Sequence, residues 1–388
     1  MKKHLLSTSA IALGLVAAPA SAQEWNLDWG GYMNQHVAFA DVSGTQVTAA
    51  GAAFDGDGVG FHSNSEIHFT PSVTLDNGLT FGINVQFEAE NAGGGADGID
   101  ETYMIISGDT LGRIEIGSEN SAGYKSMVGA PTVTSMAINS PSISAFIPLS
   151  ATSVAYPLGV LPWNFRQAGV SAYTEVGGNN DVDRISYYTP DFNGLTVGIS
   201  YARNNGGNAV GSHNNSGTGG AATLENIFDI GVNYSQTFGT TSVSLAARYG
   251  TGEAIAAATS DAETWGVGAQ VGFGDFTVGA HYAENDNVSG ALASATGAPD
   301  QSGWSFGGTY DAPGAWAFEA LTFQGTYDNF GTGGADAEYS AYKIGASRDM
   351  GPGVDWDIYA IYAEADDKGA AGTEIKGTVI GTAINLSF

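Results

Sequence analysis

Histidine is the side chain best suited to moving a proton or holding a metal near neutral pH. Beyond residue 22 the chain carries His36, His62, His68, His213 and His281. None stands in an HExxH pattern and no GxSxG turn accompanies them, so neither a zinc-hydrolase nor a serine-hydrolase constellation is legible. The stretch "DGDGVGFHSNSE" puts Asp55 and Asp57 at positions 1 and 3 of a calcium loop, Gly60 at 6 and Glu66 at 12. Val59 breaks position 5 and no helices flank the stretch. It therefore does not read as an EF-hand, and a looser oxygen-ligand Ca2+ site at Asp55 and Asp57 is what it leaves. "NAGGGADG" lacks the strand–helix setting of a phosphate cradle and reads as a loop. The chain has no cysteine, which excludes thiolate chemistry and a disulfide framework.

What remains is a set of unlike charges at alternating positions: Arg113, Glu115, Arg184 and Arg248, with Glu66, His68 and Glu88. Unlike charges facing one another across a narrow wet gap orient dipolar solutes and disfavour apolar ones, whose entry would strip ordered water. Such chemistry needs a wall that holds polar residues on one side and apolar ones on the other.

The sequence supplies that wall as strands. "LTFGINVQFEAE" sets Leu79, Phe81, Ile83, Val85 and Phe87 against Thr80, Gly82, Asn84, Gln86 and Glu88. "LTVGISY", "SVSLAARY", "WGVGAQVGF" and "FTVGAHY" repeat the alternation, whose period of two belongs to β-structure. The pattern predicts sixteen strands at approximately 26–40, 60–75, 79–90, 99–107, 111–118, 183–189, 195–204, 226–238, 241–250, 262–273, 276–284, 302–310, 315–328, 338–349, 354–363 and 375–388.

The connections between them alternate in length. Odd strands are followed by long segments such as 41–59, 119–182 and 205–225, and even strands by short turns such as "DNG", "GT" and "GD". A meander with tight hairpins at one end and long ones at the other is the layout of a membrane barrel. Greek-key sandwiches have no reason to keep this parity. On the apolar face Phe81, Phe238, Phe273, Phe276, Phe318 and Trp356 fall near the short turns. Tyr201, Tyr249, Trp265, Tyr282, Trp304, Tyr327 and Tyr362 fall near the long loops. Two aromatic belts are what two membrane interfaces select. The opposite face, rich in Gly, Ser, Thr, Asn, Asp and Glu, reads as wet, and sixteen strands leave an aqueous channel.

Composition agrees. Residues 1–22 combine "MKKHLL", an apolar stretch and "ASA", the pattern of a secretory signal peptide. Without Lys2 and Lys3, the 12 basic and 40 acidic residues leave a net charge of −30. Nucleic acid is excluded as a partner, since phosphate backbones need basic surfaces. Acid gathers in the long connections, at Asp97, Asp100, Glu101, Asp286, Asp366, Asp367 and Glu374, where divalent cations could bridge a rim to anionic headgroups. Arg203 and Lys376, at the outer edge of the apolar face, would meet lipid phosphates.

"DRISYYTPDFNGLTVGISYA" (183–202), the signal peptide, the ending "TVIGTAINLSF" and the long segment after the fifth strand together resemble the sixteen-stranded, trimeric general porins of alphaproteobacterial outer membranes. The likeness covers nearly all of residues 23–388. It implies an all-β, 16-stranded antiparallel transmembrane barrel, a homotrimer with both termini periplasmic, and passive diffusion of small hydrophilic solutes and ions without enzymatic chemistry or a required cofactor. It also implies that the third long loop, here 119–182, folds into the lumen as the constriction. Arg113, Arg184 and Arg248, with Lys343, would form the basic side. Glu119, Glu175 and Asp181 would lie on the loop, with Lys125 and Arg166 as opposing charges, and Glu66, Asn84, Glu88 and Glu115 on the wall. Phe388 would close the barrel against the first strand and resembles the signal read by the barrel-assembly machinery. Lipopolysaccharide and other outer-membrane lipids are the implied surroundings. A substrate-selective pore and a structural or adhesive barrel without a channel are the alternatives, and single-channel conductance separates them.

Overall fold

The computed structural model describes residues 24–44, 56–91, 98–139, 143, 145–147, 175–176, 181–206, 223–255, 260–286, 300–328, 335–366 and 374–388. Residues 1–22, with the expected signal peptide, lie outside them, as do Asp55 and Arg166.

The strands are β1 (Trp29–Ser43), β2 (Gly58–Phe69), β3 (Ser72–Thr74), β4 (Thr80–Asn91), β5 (Ile99–Gly108), β6 (Gly112–Glu119), β7 (Val182–Tyr188), β8 (Leu195–Asn204), β9 (Leu224–Phe238), β10 (Thr241–Ala254), β11 (Ala262–Phe273), β12 (Phe276–Asp286), β13 (Gln301–Asp311), β14 (Trp316–Tyr327), β15 (Ala337–Gly351), β16 (Val354–Asp366) and β17 (Glu374–Ser387). Among the described residues one short helix, α1 (Ala122–Ser126), follows β6. Every pairing is antiparallel, and β17 returns to β1, so the sheet closes.

The seventeen strands make sixteen staves. The stretch expected as one strand at 60–75 is interrupted at Thr70 and Pro71, and both pieces, β2 and β3, pair with β4. Proline has no N–H to give a ladder. The neighbouring stave compensates: Asn26 N donates to Ser72 O at 2.8 Å and Ser72 N to Asn26 O at 2.9 Å. The two-residue turns after β9 and β11 open on Gly239 (φ 64°) and Gly274 (φ 59°), left-handed positions that suit glycine in tight hairpins.

The seam joins the two ends of the chain. Tyr32 pairs with Ser387 and the register runs on to Ser43 opposite Lys376. Gly31 and Phe388 exchange two backbone hydrogen bonds at 3.2 Å each, leaving the Phe388 ring 74 % exposed on the outer face. Closure satisfies the edge groups that hydrocarbon cannot. Deleting Phe388 removes an outer anchor and the two backbone bonds to Gly31 that extend a ladder of twelve paired positions. It should lower the yield of folded barrel in membranes while leaving the conductance of the barrels that do form unchanged. Wild-type yields from the truncated chain would refute this.

The outer face carries Phe39, Phe61, Ile344, Ile380 and Phe388, all at least half exposed. The inner face is not wet throughout. Phe323, Tyr327, Tyr339, Tyr359, Ile361 and Val379 point inward from β14–β17 and are buried with Met136, Ile138, Phe146 and Ile147 in one apolar cluster. Tyr327 therefore does not belong to the outer aromatic belt. It is fully buried inside the wall.

Candidate functional site: a strap along the inner wall

The segment after β6 does not leave the barrel. Ser121 caps α1, its hydroxyl accepting from Tyr124 N at 3.2 Å, and the helix ends after one turn at Met127. The chain then runs against the inward-facing residues of successive staves. Ala122 N donates to Ser200 Oγ of β8 at 3.1 Å, and Asn233 Nδ2 of β9 donates to Ser126 O at 2.8 Å. Gln270 Nε2 of β11 reaches Gly129 O at 2.8 Å, and Ala130 N reaches Ser305 Oγ of β13 at 3.2 Å.

Two wall carboxylates fasten the next stretch. Glu319 of β14 accepts from Thr132 Oγ1 (2.5 Å), Val133 N (2.6 Å), Thr134 N (3.3 Å) and Thr134 Oγ1 (2.5 Å). Asp357 of β16 accepts from Ser135 N (2.8 Å) and Oγ (2.9 Å) and from Asn385 Nδ2 (2.7 Å). Tyr339 OH then donates to Ile138 O at 2.7 Å. Farther on, Phe146 rests over Gly60 of β2 and Ile147 over Gly377 of β17. The described part of 119–147 is thus a strap laid along the inner wall from β8 round to β2. Glycines make room for it: a Cβ at Gly268 would fall on the Val128 carbonyl, and one at Gly279 would stand 2.6 Å from Gly129 O.

The charges named above meet as pairs. Arg113 Nε lies 3.1 Å from Glu115 Oε1, and Lys125 Nζ lies 2.8 Å from Glu115 Oε2 and also binds Glu119. Arg248 is joined to Asp229, and Lys343 lies 2.9 Å from Glu319. Arg184 NH1 is 3.9 Å from Glu175 Oε2, while Glu175 Oε1 accepts from Ser121 N at 2.7 Å. Arg184, Arg248 and Lys343 are each at most 5 % exposed, covered by the strap and by their paired carboxylates. Lys125 is held well above the usual lysine range. Burial opposes its charge, but Tyr188, Glu119 and Glu115 outweigh that.

Asn84 is buried, its Nδ2 donating to Tyr103 OH at 2.9 Å. Asp181 adopts φ 53° and its carbonyl accepts from Ser118 Oγ at 2.7 Å. Asp57 Oδ1 accepts from Val42 N at 2.8 Å, which ties it to the end of β1. Among the described residues no group of three His, Asp or Glu is placed to hold a metal.

A second cluster lies on β1–β5. Glu66 accepts from Tyr32 OH at 3.1 Å and faces His68 Nε2 at 3.0 Å. Glu101, expected at the rim, is buried: it accepts from Gln86 Nε2 at 2.8 Å and from Asn120 Nδ2 at 2.5 Å. Glu101 shares the inward parity of Tyr103 and Ile105, and Asn120 beyond β6 covers it. The register shift between Val85 and Phe87, which sets Gln86 against Asp100 and Glu101 together, turns Ile99 outward. Among the described residues, no lysine or arginine lies within ion-pair distance of Glu66, Asp100, Glu101 or Asp357. Sequence reasoning missed Glu319 and Asp357 as strap anchors, and Asp229 as the partner of Arg248. Their parity marks them as inward, but nothing local marks what they hold.

A family model described as Gram-negative porin matches residues 7–370. The chain belongs to the Gram-negative porin family. No curated protein sequence matches this porin. Among solved structures it is similar to the anion-selective porin from Comamonas acidovorans, with 16% identity, TM-score 0.57, and 94% of this chain and 100% of that one covered. The trimer form of OmpT from Vibrio cholerae gives 14% identity and TM-score 0.57 over 94% and 99%. A mutant of Rh. blastica porin gives 19% and 0.54 over 94% and 100%. These likenesses are of fold. The porin is an outer-membrane channel for passive diffusion.

Proposed function

We propose a cation-preferring diffusion channel for small hydrophilic solutes, narrowed by the strap. The observation that carries this reading is the charge balance of the lumen. Arg113, Lys125, Arg184, Arg248 and Lys343 each face a carboxylate within 4 Å, whereas among the described residues no lysine or arginine lies that close to Glu66, Asp100 or Glu101. A basic wall neutralised by its own carboxylates contributes little field to passing ions. The acidic sector on β2–β5 is left to act, together with the overall charge. The segment 119–182 is the constriction in this reading, with Glu66, Glu88, Glu115 and Glu119 beside it.

The test is the reversal potential across a planar bilayer in a KCl gradient. Cation preference is expected, weaker at high salt, and reduced in the triple variant Glu66→Gln, Asp100→Asn, Glu101→Gln. Anion preference, the property of the Comamonas porin, would overturn it. The loop side adds a pH dependence. Burial, then Asp336, Asp300 and Glu284, raise Asp328 above the ordinary aspartate range. Its negative charge is lost sooner as pH falls, so cation preference should start to decline at a higher pH than isolated aspartates titrate. Asp328→Asn should remove that early part of the decline.

In the same reading the porin is a homotrimer with periplasmic termini, inserted by the barrel-assembly machinery. It performs no chemistry on its solutes and needs no cofactor, and Ca2+ at the acidic loops, Asp55 and Asp57 included, would be accessory. Arg203 and Lys376 contact headgroups of lipopolysaccharide or other outer-membrane lipids.

A further inference from the structure

Two grooves interrupt the outer wall. One, of about 400 Å³, is lined by Ile185, Tyr187, Ile199, Tyr201, Phe228 and Tyr249. The rings of Tyr201 and Phe228 lie 4.9 Å apart. Beyond them on the same face, toward the long loops, stands a fastened polar row. Asn226, held at φ 50°, is its hub. Its Oδ1 accepts from Tyr201 OH at 3.2 Å and from Arg203 NH1 at 2.7 Å, and its Nδ2 donates to Glu253 Oε2 at 2.8 Å. Arg203 NH1 also lies 3.2 Å from Glu225 Oε2, with 43% of the arginine side chain exposed.

An apolar slot on the wall of an outer-membrane barrel faces acyl chains, and a row of charges just past an aromatic belt lies at headgroup depth. The charge pattern of the row then selects the headgroup. A lone phosphate would meet one guanidinium flanked by two carboxylates. A lone amine would meet the carboxylates but also the guanidinium. A headgroup carrying both satisfies the whole row, its phosphate on Arg203 and its ammonium on Glu253 and Glu225. The second groove, of about 540 Å³, repeats the arrangement. It is lined in part by Tyr362, whose OH donates to Glu364 at 2.6 Å, and lies beside Lys376, which is joined to Glu374.

We propose that the groove on β7–β10 is a seat for one zwitterionic lipid bearing a phosphate and a primary amine, its acyl chain in the slot and its headgroup on Arg203, Glu225 and Glu253. This rests on the reading of Arg203 as a headgroup contact.

The test is native mass spectrometry of the full-length protein in detergent, with equimolar phosphatidylethanolamine, phosphatidylcholine and phosphatidylglycerol, with and without Mg2+. Phosphatidylethanolamine should be retained over the other two. Arg203→Ala and Glu253→Gln should each reduce its retention about tenfold, the order expected for one charge-assisted hydrogen bond. Ile199→Trp, which fills the slot, should reduce retention of all three lipids. Unchanged single-channel conductance shows that each variant has folded. Equal retention of the three lipids, better retention of phosphatidylglycerol in either condition, or indifference to Ile199→Trp overturns the proposal. So does a slot found covered by a second copy in the assembled protein. Loss in Arg203→Ala for every lipid, with none in Glu253→Gln, leaves the phosphate contact standing and removes the zwitterion.

Discussion

Glu319→Ala should cost about 3–5 kcal/mol of stability, the range for breaking a buried ion pair by removing one partner. It should also convert a quiet channel into a noisy one. The carboxylate accepts two backbone and two hydroxyl hydrogen bonds from residues 132–134 and faces Lys343, whose side chain is 1% exposed. Without it the strap loses its densest fastening and Lys343 is left buried with its charge unmatched. Lys343 Nζ would still donate to Met136 O at 2.7 Å and to Thr132 Oγ1 at 3.0 Å, but the four bonds to the carboxylate would be gone. The double variant Glu319→Ala, Lys343→Met separates the two effects. It should recover much of the thermal stability while the current fluctuations persist, because the tether is still missing. Quiet traces from Glu319→Ala would show that the strap is held elsewhere.

Gly268→Val should act through shape alone. No Cβ fits between β11 and the Val128 carbonyl, and the obstacle is backbone, which cannot swing aside as a side chain can. The strap must move off the wall and into the lumen. Overpacking of this kind costs about 1–3 kcal/mol, and conductance should fall. Gly266→Ala on the same strand is the control. Its nearest neighbour would be Tyr282 O at 3.3 Å, so conductance should stay at the wild-type level. An unchanged conductance in Gly268→Val would mean that the strap at Val128 does not bound the conducting path.

The wall was legible in the sequence because each strand repeats one local rule. Leu79 to Phe87 and Ile380 to Phe388 alternate cleanly, and one buried face against one hydrocarbon face leaves no other register. The turns were legible because Gly239 and Gly274 sit where a two-residue hairpin needs them. Alternation falls silent at "IYAIYAEA" (358–365), which is apolar on both parities through Ala363. Such a run reads as covered on both sides, and here the inner cover is the strap. The charges failed for a related reason. Parity places Arg184 and Arg248 inside, but it does not distinguish a side chain facing water from one covered by a segment outside its own strand. Glu101 follows the inward parity of Tyr103 and Ile105, but its cover, Asn120, comes from beyond the next strand, where alternation carries no signal.

The fastening of the strap also sets an order in time. Ser135 is held by Asp357, 222 residues farther along the chain, and Ala130 by Ser305, 175 residues farther. Contacts of such separation form late, after the intervening chain has been arranged. Threads from β8 to β17 must therefore be in place before the strap can seat. The nascent barrel passes through a stage when it is wide and unobstructed, and its final bore is reached only when the last strands have arrived. A chain stalled late in assembly would be leakier than the finished molecule.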